Sequence, residues 1–381
     1  MTTSKKVKHL LLFFAFTFSC SVFSDQQTFS ISPYLLKKTH DQVHLKFQTK
    51  GEDSFINSLD NKEVVATEDD VTSIPLKKQK CGEPQSMTLL NTSKKSLFKV
   101  DLPPYPCDPE TPIQFAFISD TQKYPDEHNK MAHLLFNRVK NNPPNFILNG
   151  GDIVQDGSIE SKWQNFLKAS LPYSTSIPIV PVLGNHDYWG HNGKENTPEL
   201  FKKYLMTEKD NSDGYYTLDY PQFKLVVLNS NFPKLGEENI KLQKAWLEKE
   251  LEKSKQKEQV VIITFHHSPI TSNLFYYGPV SIAMRKSWIP LFEKSGVVKL
   301  VLNGHSHLYE RSLKNGIMYV VAGPFGGQKN NFPKLKNYYR LSMHPETYTY
   351  SLFNVSKKMI QMETFDENDN LIDNFSITNN I

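Results

Sequence analysis

Two histidines one residue apart, His305 and His307, stand directly after an apolar run at residues 297–302. This run is typical of a buried strand in a mostly parallel sheet, whose side chains are apolar on both faces. Gly304 permits the chain to turn at the end of the strand, so both imidazoles can converge on one centre. Histidine is the commonest metal ligand in proteins. Taken alone, the stretch fits a metal site and a surface loop with two solvated histidines about equally well.

Polar side chains with related chemistry follow four other predicted strands. Each comes just after an apolar run, and they are Asp120, Asp152, the triplet Asn185-His186-Asp187 and the pair His266-His267. Any single Asp or Asn in such a place commonly caps a helix. Five coincidences of this kind instead predict one site, because open α/β sheets place their sites beyond the carboxyl ends of their strands.

The mixture of donors indicates the chemistry of this site. Carboxylate, carboxamide and imidazole ligands together suit borderline divalent ions such as Mn, Fe, Co or Zn. A carboxylate can bridge two ions, and two ions about 3.5–4 Å apart can clamp a phosphoryl oxygen and activate a water molecule. The pattern therefore predicts a two-metal site suited to phosphoryl chemistry.

The elements that position these residues can be predicted in outline. From residue 111 onward, strands alternate with helices, which indicates an α/β layered domain. The predicted strands are 113–118, 145–148, 178–182, 224–228, 260–265 and 297–302, and the predicted helices are 130–139, 160–167, 198–205, 241–257 and 285–294. Short strands at 348–353 and 358–365, with a hairpin turn at 366–370, follow. Residues 28–109 contain only short β-type runs and end in a proline-rich linker at 103–109. We therefore expect a small β-sandwich in the part that precedes the linker.

The beginning of the chain has the pattern of an export signal. Three lysines precede an almost wholly apolar run at residues 10–18, and small residues at 21–24 offer a cleavage site before Asp25. The apolar run is too short to span a bilayer. Cleavage would lower the formal charge of the 381-residue chain from +4 to +1, which argues against nucleic acid or an anionic membrane as a partner. We expect a secreted or periplasmic protein, in which Cys81 and Cys107 either form a disulfide or stay free.

Five ordered blocks resemble those of the calcineurin-like metallophosphoesterases. The blocks are residues 119–122, 151–152, 184–187, 263–266 and 304–307, and the extension at 308–311 looks like the purple acid phosphatase branch. Residues 32–47 and 368–375 are similar to the beginning of that branch's N-terminal β-sandwich and to its closing strands. The resemblance implies a two-sheet α/β domain flanked by helices and preceded by a small all-β domain. The expected units are a signal peptide at 1–24, a fibronectin-like domain at 25–110 and a catalytic domain at 111–381.

The resemblance also implies a ligand set, carried over onto matching positions. Asp152 would bridge two metals, Asp120 and His307 would bind the first, and Asn185, His266 and His305 the second. Spacing favours His266 over His267 as the ligand without deciding between them. His186 would hydrogen-bond the substrate or protonate the leaving group, with Asp187 orienting its imidazole.

Two positions depart from the family pattern. Gln122 stands where the family usually has a histidine, and it predicts a loosely held first metal. Gln155 stands where purple acid phosphatases have a tyrosine ligand, so we expect a colourless enzyme that uses two divalent ions, Mn, Fe or Zn.

The sequence thus predicts an exported phosphatase that hydrolyses small phosphate monoesters through attack of metal-activated water. A phosphodiesterase or nucleotide pyrophosphatase on the same site is the nearest alternative, and a binding protein that lost its first metal is another. The presence of His186 with Asp187 argues against mere binding, because binding alone needs neither. Residues 188–196, 271–280 and 325–332 are predicted to form specificity loops, whose sequences indicate no particular substrate or oligomeric state.

Overall fold

The computed structural model describes residues 28–188, 198–206, 213–330 and 334–379. The predicted signal peptide and almost all of the loop at 188–196 lie outside these residues. Seven strands form the first part of the described chain. They are β1 (Phe29–Thr39), β2 (Gln42–Thr49), β3 (Asp53–Asn57), β4 (Lys62–Ala66), β5 (Thr72–Pro75), β6 (Gln85–Asn91) and β7 (Ser96–Leu102).

Strands and helices then alternate, as the sequence pattern predicts. The elements are β8 (Ile113–Ile118), α1 (Pro125–Val139), β9 (Phe146–Asn149), α2 (Glu160–Ser174), β10 (Ile179–Pro181), α3 (Glu199–Leu205), β11 (Tyr216–Asp219), β12 (Lys224–Val227), α4 (Phe232–Gln256), β13 (Val261–Thr264), α5 (Pro279–Ser287), α6 (Ile289–Ser295) and β14 (Val298–Asn303). Mostly antiparallel strands follow: β15 (Tyr309–Lys314), β16 (Ile317–Val321), β17 (Arg340–His344), β18 (Thr349–Val355), β19 (Met359–Asp366) and β20 (Leu371–Thr378).

Two large sheets pack face to face and carry helices on their outer sides. One sheet has the order β20-β19-β18-β8-β9-β10-β1-β2-β5, and the other has the order β11-β12-β13-β14-β16-β15-β17. Alternate side chains of the central strands fill the layer between the sheets, for example Phe115 and Phe117 of β8 against Leu300 and Leu302 of β14. The intervening side chains face the helices: Ala116 packs with α1 and α2, and the opposite face of the second sheet packs with α4, α5 and α6. This architecture confirms the predicted fold class.

The N-terminal strands form a sandwich that is continuous with the larger sheet. The separate sheet β4-β3-β6-β7 lies over β1, β2 and β5, and the two share a core that includes Phe47, Phe55 and Phe98. β1 also pairs in parallel with β10, where Leu36 lies opposite Ile179. Hydrogen bonds therefore join the two regions, while the domain boundary at residues 110 and 111 stays a prediction.

Four of the five predicted helices have other bounds than observed: α1 begins five residues before the predicted 130–139, α2 ends seven residues after the predicted 160–167, and two others differ for local reasons. The helix predicted at 285–294 is two short helices, because Pro290 has no amide hydrogen to continue the first one and instead begins the second. The helix predicted at 241–257 begins earlier, at Phe232, with a break at Gly236, whose φ of 74° a helix cannot contain.

A disulfide joins Cys81 to Cys107, whose Cα atoms are 5.5 Å apart. The sequence left open whether these two cysteines are bonded or free, and in the structure they are bonded. The disulfide connects the segment between β5 and β6 to the proline-rich linker. In the described part of the chain, no helix is long and apolar enough to cross a bilayer.

Candidate dinuclear metal centre

All five polar blocks meet at one edge of the two packed sheets. Asp120, Asp152 and Asn185 follow β8, β9 and β10 of one sheet, whereas His266 and His305 follow β13 and β14 of the other. Within each sheet these strands are parallel to one another, so their carboxyl ends lie together. The segments are also bonded to one another across the sheets: both carboxylate oxygens of Asp120 accept a hydrogen bond from the His305 amide at 3.1 Å.

The turns that carry the site have an unusual backbone. Asp120, Asp152, His305 and His307 have φ of 53°, 51°, 69° and 52°, in the left-handed region that non-glycine residues seldom occupy. Such conformations persist only where the surroundings fix them, and they cluster at functional sites. Gly304 makes the arrangement possible, since a Cβ there would lie 2.0 Å from the Ser119 hydroxyl oxygen.

Two clusters of metal-binding groups share one carboxylate. Asp152 forms one cluster with His266 and His305, and a second with Asp120 and His307, and within each cluster the donor atoms lie within 4.8 Å of one another. His266 Nε2 is 3.1 Å from Asp152 Oδ2, and His307 Nε2 is 3.4 Å from Asp120 Oδ1. Asp120 and Asp152 are 0% and 1% exposed, so water does not screen their charges.

Several polar atoms around these clusters fit a bound cation. Among the described residues, Asn185 Oδ1 and Gln122 Oε1 are buried without a hydrogen-bond partner, and buried His266 Nε2 makes no well-aligned hydrogen bond although Asp152 Oδ2 lies 3.1 Å away. An unpaired buried polar atom is costly, as are two buried carboxylates without compensating charge. Divalent cations beside Asp152 would satisfy these atoms and neutralise the carboxylates, and the donor set is the mixture that Mn, Fe and Zn accept.

The structure distinguishes the two adjacent histidines. His266 points into the cluster with Nε2, and its Nδ1 donates a hydrogen bond to the Gly150 carbonyl at 2.9 Å. His267 instead contacts the Ser230 hydroxyl through Nδ1 at 2.8 Å. A backbone carbonyl behind an imidazole fixes its tautomer and orientation, which is typical of metal-binding histidines. His307 has the same arrangement, with Nδ1 bonded to the Gln328 carbonyl.

Gln122 lies inside the cluster formed by Asp120, Asp152 and His307. Its side-chain nitrogen is 3.2 Å from His307 Nε2 and 3.4 Å from Asp152 Oδ2. The residue is 2% exposed. The position that departs from the family pattern is therefore directed at the site and does not point away from it.

The predicted role of Asp187 needs correction. Its carboxylate accepts hydrogen bonds from the backbone amides of Ile153, Val154 and Gly184, at 2.9, 3.2 and 2.8 Å. The His186 imidazole is held differently, because its Nδ1 donates to the Gln155 carbonyl at 2.8 Å. Asp187 thus fixes the turns that carry Asp152 and His186, and the expectation that it orients the imidazole is wrong.

Comparisons with known proteins agree with this geometry. A family model described as calcineurin-like phosphoesterase matches residues 113–309, which contain every polar block of the site. The chain belongs to the calcineurin-like phosphoesterase family. It is therefore a metallophosphoesterase, a hydrolase. Its likeness to two plant purple acid phosphatases, one in sequence and one in structure, confirms the resemblance to that branch.

Curated relatives of this phosphoesterase come from bacteria and plants. A "Probable cyclic nucleotide phosphodiesterase" of Colwellia psychrerythraea is 26% identical over 225 residues, covering 56% of this chain and 78% of that protein. The "Fe(3+)-Zn(2+) purple acid phosphatase 12" of Arabidopsis thaliana is 26% identical over 220 residues, covering 54% of this chain and 44% of that protein.

A solved structure extends the likeness to almost the whole chain. The purple acid phosphatase from yellow lupin (Lupinus luteus) seeds superposes with a TM-score of 0.74 at 16% identity, covering 91% of this chain and 74% of that one. At this level of identity the superposition shows a shared fold, including the N-terminal β region.

The electrostatics of this phosphoesterase centre on Asp152. Burial alone would raise the pKa of its carboxyl, but the imidazoles around it, led by His266, outweigh burial and lower it. Burial alone would lower the pKa of His266, and the Asp152 carboxylate reverses this and raises it to about 9. Burial, followed by the nearby Asp152 charge, raises the pKa of Asp187 to about 7. A proton on His266 thus competes with a cation for Asp152, so metal affinity should rise with pH.

A pocket of about 500 Å³ opens beside the clusters, and its lining includes residues that sequence reasoning missed. Asn273, Phe275 and Asn330 line it together with Asp152, His186 and His305. Glu310, in the extension after the last block, is buried and accepts two hydrogen bonds from Ser272, both at 2.6 Å. The only sequence feature that pointed to Asn273 and Phe275 was their position in the predicted specificity loop at 271–280.

Proposed function

We propose that this chain is an exported phosphatase that uses two divalent ions to hydrolyse phosphate monoesters. The observation that carries the proposal is the position of Asp152, a fully buried carboxylate shared by two clusters of metal-binding groups. A single carboxylate between two ions is the arrangement that brings them close enough to act on one phosphoryl group.

The residues divide between two ions. Asp152 would bind both, and the remaining donors would be Asp120, His307 and Gln122 for the first ion, and Asn185, His266 and His305 for the second. When bound, Mn, Fe or Zn would supply positive charge for the phosphate oxygens and lower the pKa of a water molecule to make a nucleophile. The buried Asn185 Oδ1, which has no hydrogen-bond partner, and the buried His266 Nε2, which makes no well-aligned hydrogen bond, support this division.

His186 is the candidate general acid. The Gln155 carbonyl can only accept, so Nδ1 donates its hydrogen to it and the orientation of the ring is fixed. Nε2 lies 3.9 Å from Asp152 Oδ2, at the edge of the pocket. A protonated imidazole there can hydrogen-bond the phosphate and give its Nε2 proton to the leaving alcohol oxygen. Asp187 supports this role through the backbone turns.

Gln155 and the N-terminal segment complete the proposal. With Gln155 in place of a tyrosine, the first ion has no phenolate ligand, which supports two divalent ions and a colourless protein. The basic and apolar residues of segment 1–24 and the Cys81–Cys107 disulfide support export to a secreted or periplasmic location.

A phosphodiesterase is the second candidate. It is favoured by the two bacterial relatives named as probable cyclic nucleotide phosphodiesterases, of which the second, from Vesicomyosocius okutanii, is 25% identical over 226 residues. The same two ions would serve either reaction, so the distinction depends on the pocket.

A metal analysis combined with a substrate panel tests the proposal. With Mn²⁺ or Zn²⁺ added, the purified protein should bind close to two divalent ions per chain and should hydrolyse 4-nitrophenyl phosphate faster than bis(4-nitrophenyl) phosphate. The His186→Asn variant should keep its metals and lose most of its turnover. A preference for the diester would favour the second candidate, and a metal-loaded protein without turnover of either ester would refute both.

A further inference from the structure

An aromatic side chain stands beside the metal centre without being part of it. Phe275 lies in a short 3₁₀ turn, Leu274–Tyr277, and lines the same pocket as Asp152 and His186. One side of its ring packs on the His305 imidazole, with centroids 4.2 Å apart and planes inclined by 35°. The residue is nevertheless 37% exposed, so part of the ring faces the pocket.

A buried polar network holds this turn in place. The Glu310 carboxylate, which is 1% exposed, accepts hydrogen bonds from the Thr271 hydroxyl at 3.1 Å and from the Ser272 amide and hydroxyl. Asn273 donates to the Ser306 carbonyl at 2.9 Å and accepts from the Phe275 amide at 3.1 Å. The turn is therefore bonded to the segment between His305 and His307, and Phe275 is fixed relative to the metal ligands.

Packing against His305 does not by itself explain why the Phe275 ring stays partly exposed. The Gly150 carbonyl orients His266 without any exposed apolar group, and a covered aliphatic side chain could pack on His305 equally well. Keeping a phenyl ring partly in water at the mouth of a polar pocket has a free-energy cost. A ligand that covers the ring on binding recovers that free energy, and planar aromatic groups do so best because they stack.

We propose that Phe275 is a substrate-contacting residue that stacks on a planar aromatic group in the alcohol part of the ester. The preferred substrates are then aryl or nucleoside phosphates rather than phosphates of small aliphatic alcohols. This inference rests on the proposed function, since it assumes that the phosphoryl group lies against the Asp152 clusters, from which the alcohol part extends toward Phe275.

The experiment compares two substrates with the same type of leaving oxygen, adenosine 5′-monophosphate and ribose 5-phosphate, which differ by the base. Phe275→Leu keeps an apolar side chain against His305 and removes the aromatic face, and Phe275→Tyr keeps that face. Tyr277→Leu is the matched control, because Tyr277 is 65% exposed on the same turn but does not line the pocket.

For Phe275→Leu, the KM for adenosine 5′-monophosphate should rise about 5- to 100-fold, the range of base stacking on one aromatic residue. The KM for ribose 5-phosphate should change by less than about twofold on the same reasoning. Phe275→Tyr and Tyr277→Leu should both behave as the parent protein. An equal loss for both substrates would show that the ring only supports His305, and an unchanged KM for both would show that it contacts neither; either result overturns the proposal.

Adenosine, which carries no phosphate, separates this inference from the proposed function. It should bind the parent protein and Phe275→Tyr, and bind Phe275→Leu at least about fivefold more weakly, measured by calorimetry. If no ester is hydrolysed, the proposed function fails while this titration still decides the role of Phe275. Equal adenosine affinity in all three proteins, or no binding by the parent protein, would overturn the stacking role.

Discussion

Replacing Gln122 with histidine should tighten the binding of one metal ion and leave the other unchanged. In a tetrahedral site with metal–ligand bonds of about 2.1 Å, the ligand atoms lie about 3.4 Å apart. Gln122 Nε2 is 3.2 Å from His307 Nε2 and 3.4 Å from Asp152 Oδ2, and His307 Nε2 is 3.4 Å from Asp120 Oδ1. The end of the Gln122 side chain therefore lies at a distance from His307 and Asp152 that would suit a fourth ligand.

The expected gain in metal affinity follows from the ligand atom that residue 122 offers. A half-turn of the Gln122 amide puts the unpartnered Oε1 at the ligand position, where it offers a neutral oxygen to the first ion. Imidazole is the better donor for borderline divalent ions. Since even indirect changes around a metal site alter affinity 10- to 100-fold, Gln122→His should tighten the first ion by at least about that factor, or about 1.4–2.7 kcal/mol.

The assay is a calorimetric titration of metal-free protein with Mn²⁺ or Zn²⁺, accompanied by activity at each metal concentration. Parent protein should show one tight and one weaker ion and should lose activity on dialysis, whereas Gln122→His should retain activity. Gln122→Leu, which has no donor atom, should weaken the first ion further and leave the second unchanged, because Asn185, His266 and His305 are intact. Equal affinities in all three proteins would refute the assignment of Gln122 to the first site.

Three further predictions concern other residues. Asp152→Asn should abolish turnover and lower the metal content while the chain still folds, because the amide can still accept the 2.8 Å hydrogen bond from the His186 backbone; unchanged turnover would contradict a two-metal site. With Gln155 at the tyrosine position, the purified protein should have no visible charge-transfer band, and a violet protein that bleaches on reduction would show the opposite. Burial lowers the pKa of His128 from 6.5 to about 3. Below about pH 6.5 the unfolded chain binds a proton at His128, whereas the folded chain does not bind it until about pH 3. The free energy of unfolding therefore decreases as the pH is lowered from 6.5 to 3. Between pH 6.5 and 5 the parent protein should lose roughly 1–2 kcal/mol more unfolding free energy than His128→Phe in urea titrations, and equal losses would disprove the burial argument.

The sequence by itself determined where the candidate ligands stand along the chain. Apolar runs such as 113–118 and 297–302 define strands buried on both faces, and a polar residue directly after such a run has to lie at a sheet edge. Parallel strands place these ends on the same side of a sheet, so Asp120 could be grouped with Asp152, and His266 with His305, from pattern alone. The order of the blocks also identified the family correctly.

Only the tertiary structure decided which side chain does what within each block. His266 and His267 are neighbours with the same side chain, and their directions depend on the backbone dihedrals of the turn and on the carbonyl or hydroxyl that receives each Nδ1. Asp187 was misassigned for a similar reason, since its backbone partners at Ile153 and Val154 are distant in sequence and leave no local pattern.

The same holds for the turn that carries Phe275. Its position depends on a buried contact between Glu310 and Ser272, 38 residues apart, and on the Asn273 bond to the Ser306 carbonyl. Composition and periodicity describe how a segment relates to its own neighbours, whereas these contacts depend on how the segments after β13 and β14 and the beginning of β15 are brought together in the second sheet. A polar residue in a loop has the same sequence signal whether its partner is water or a buried carboxylate, so this part of the site became visible only in the folded chain.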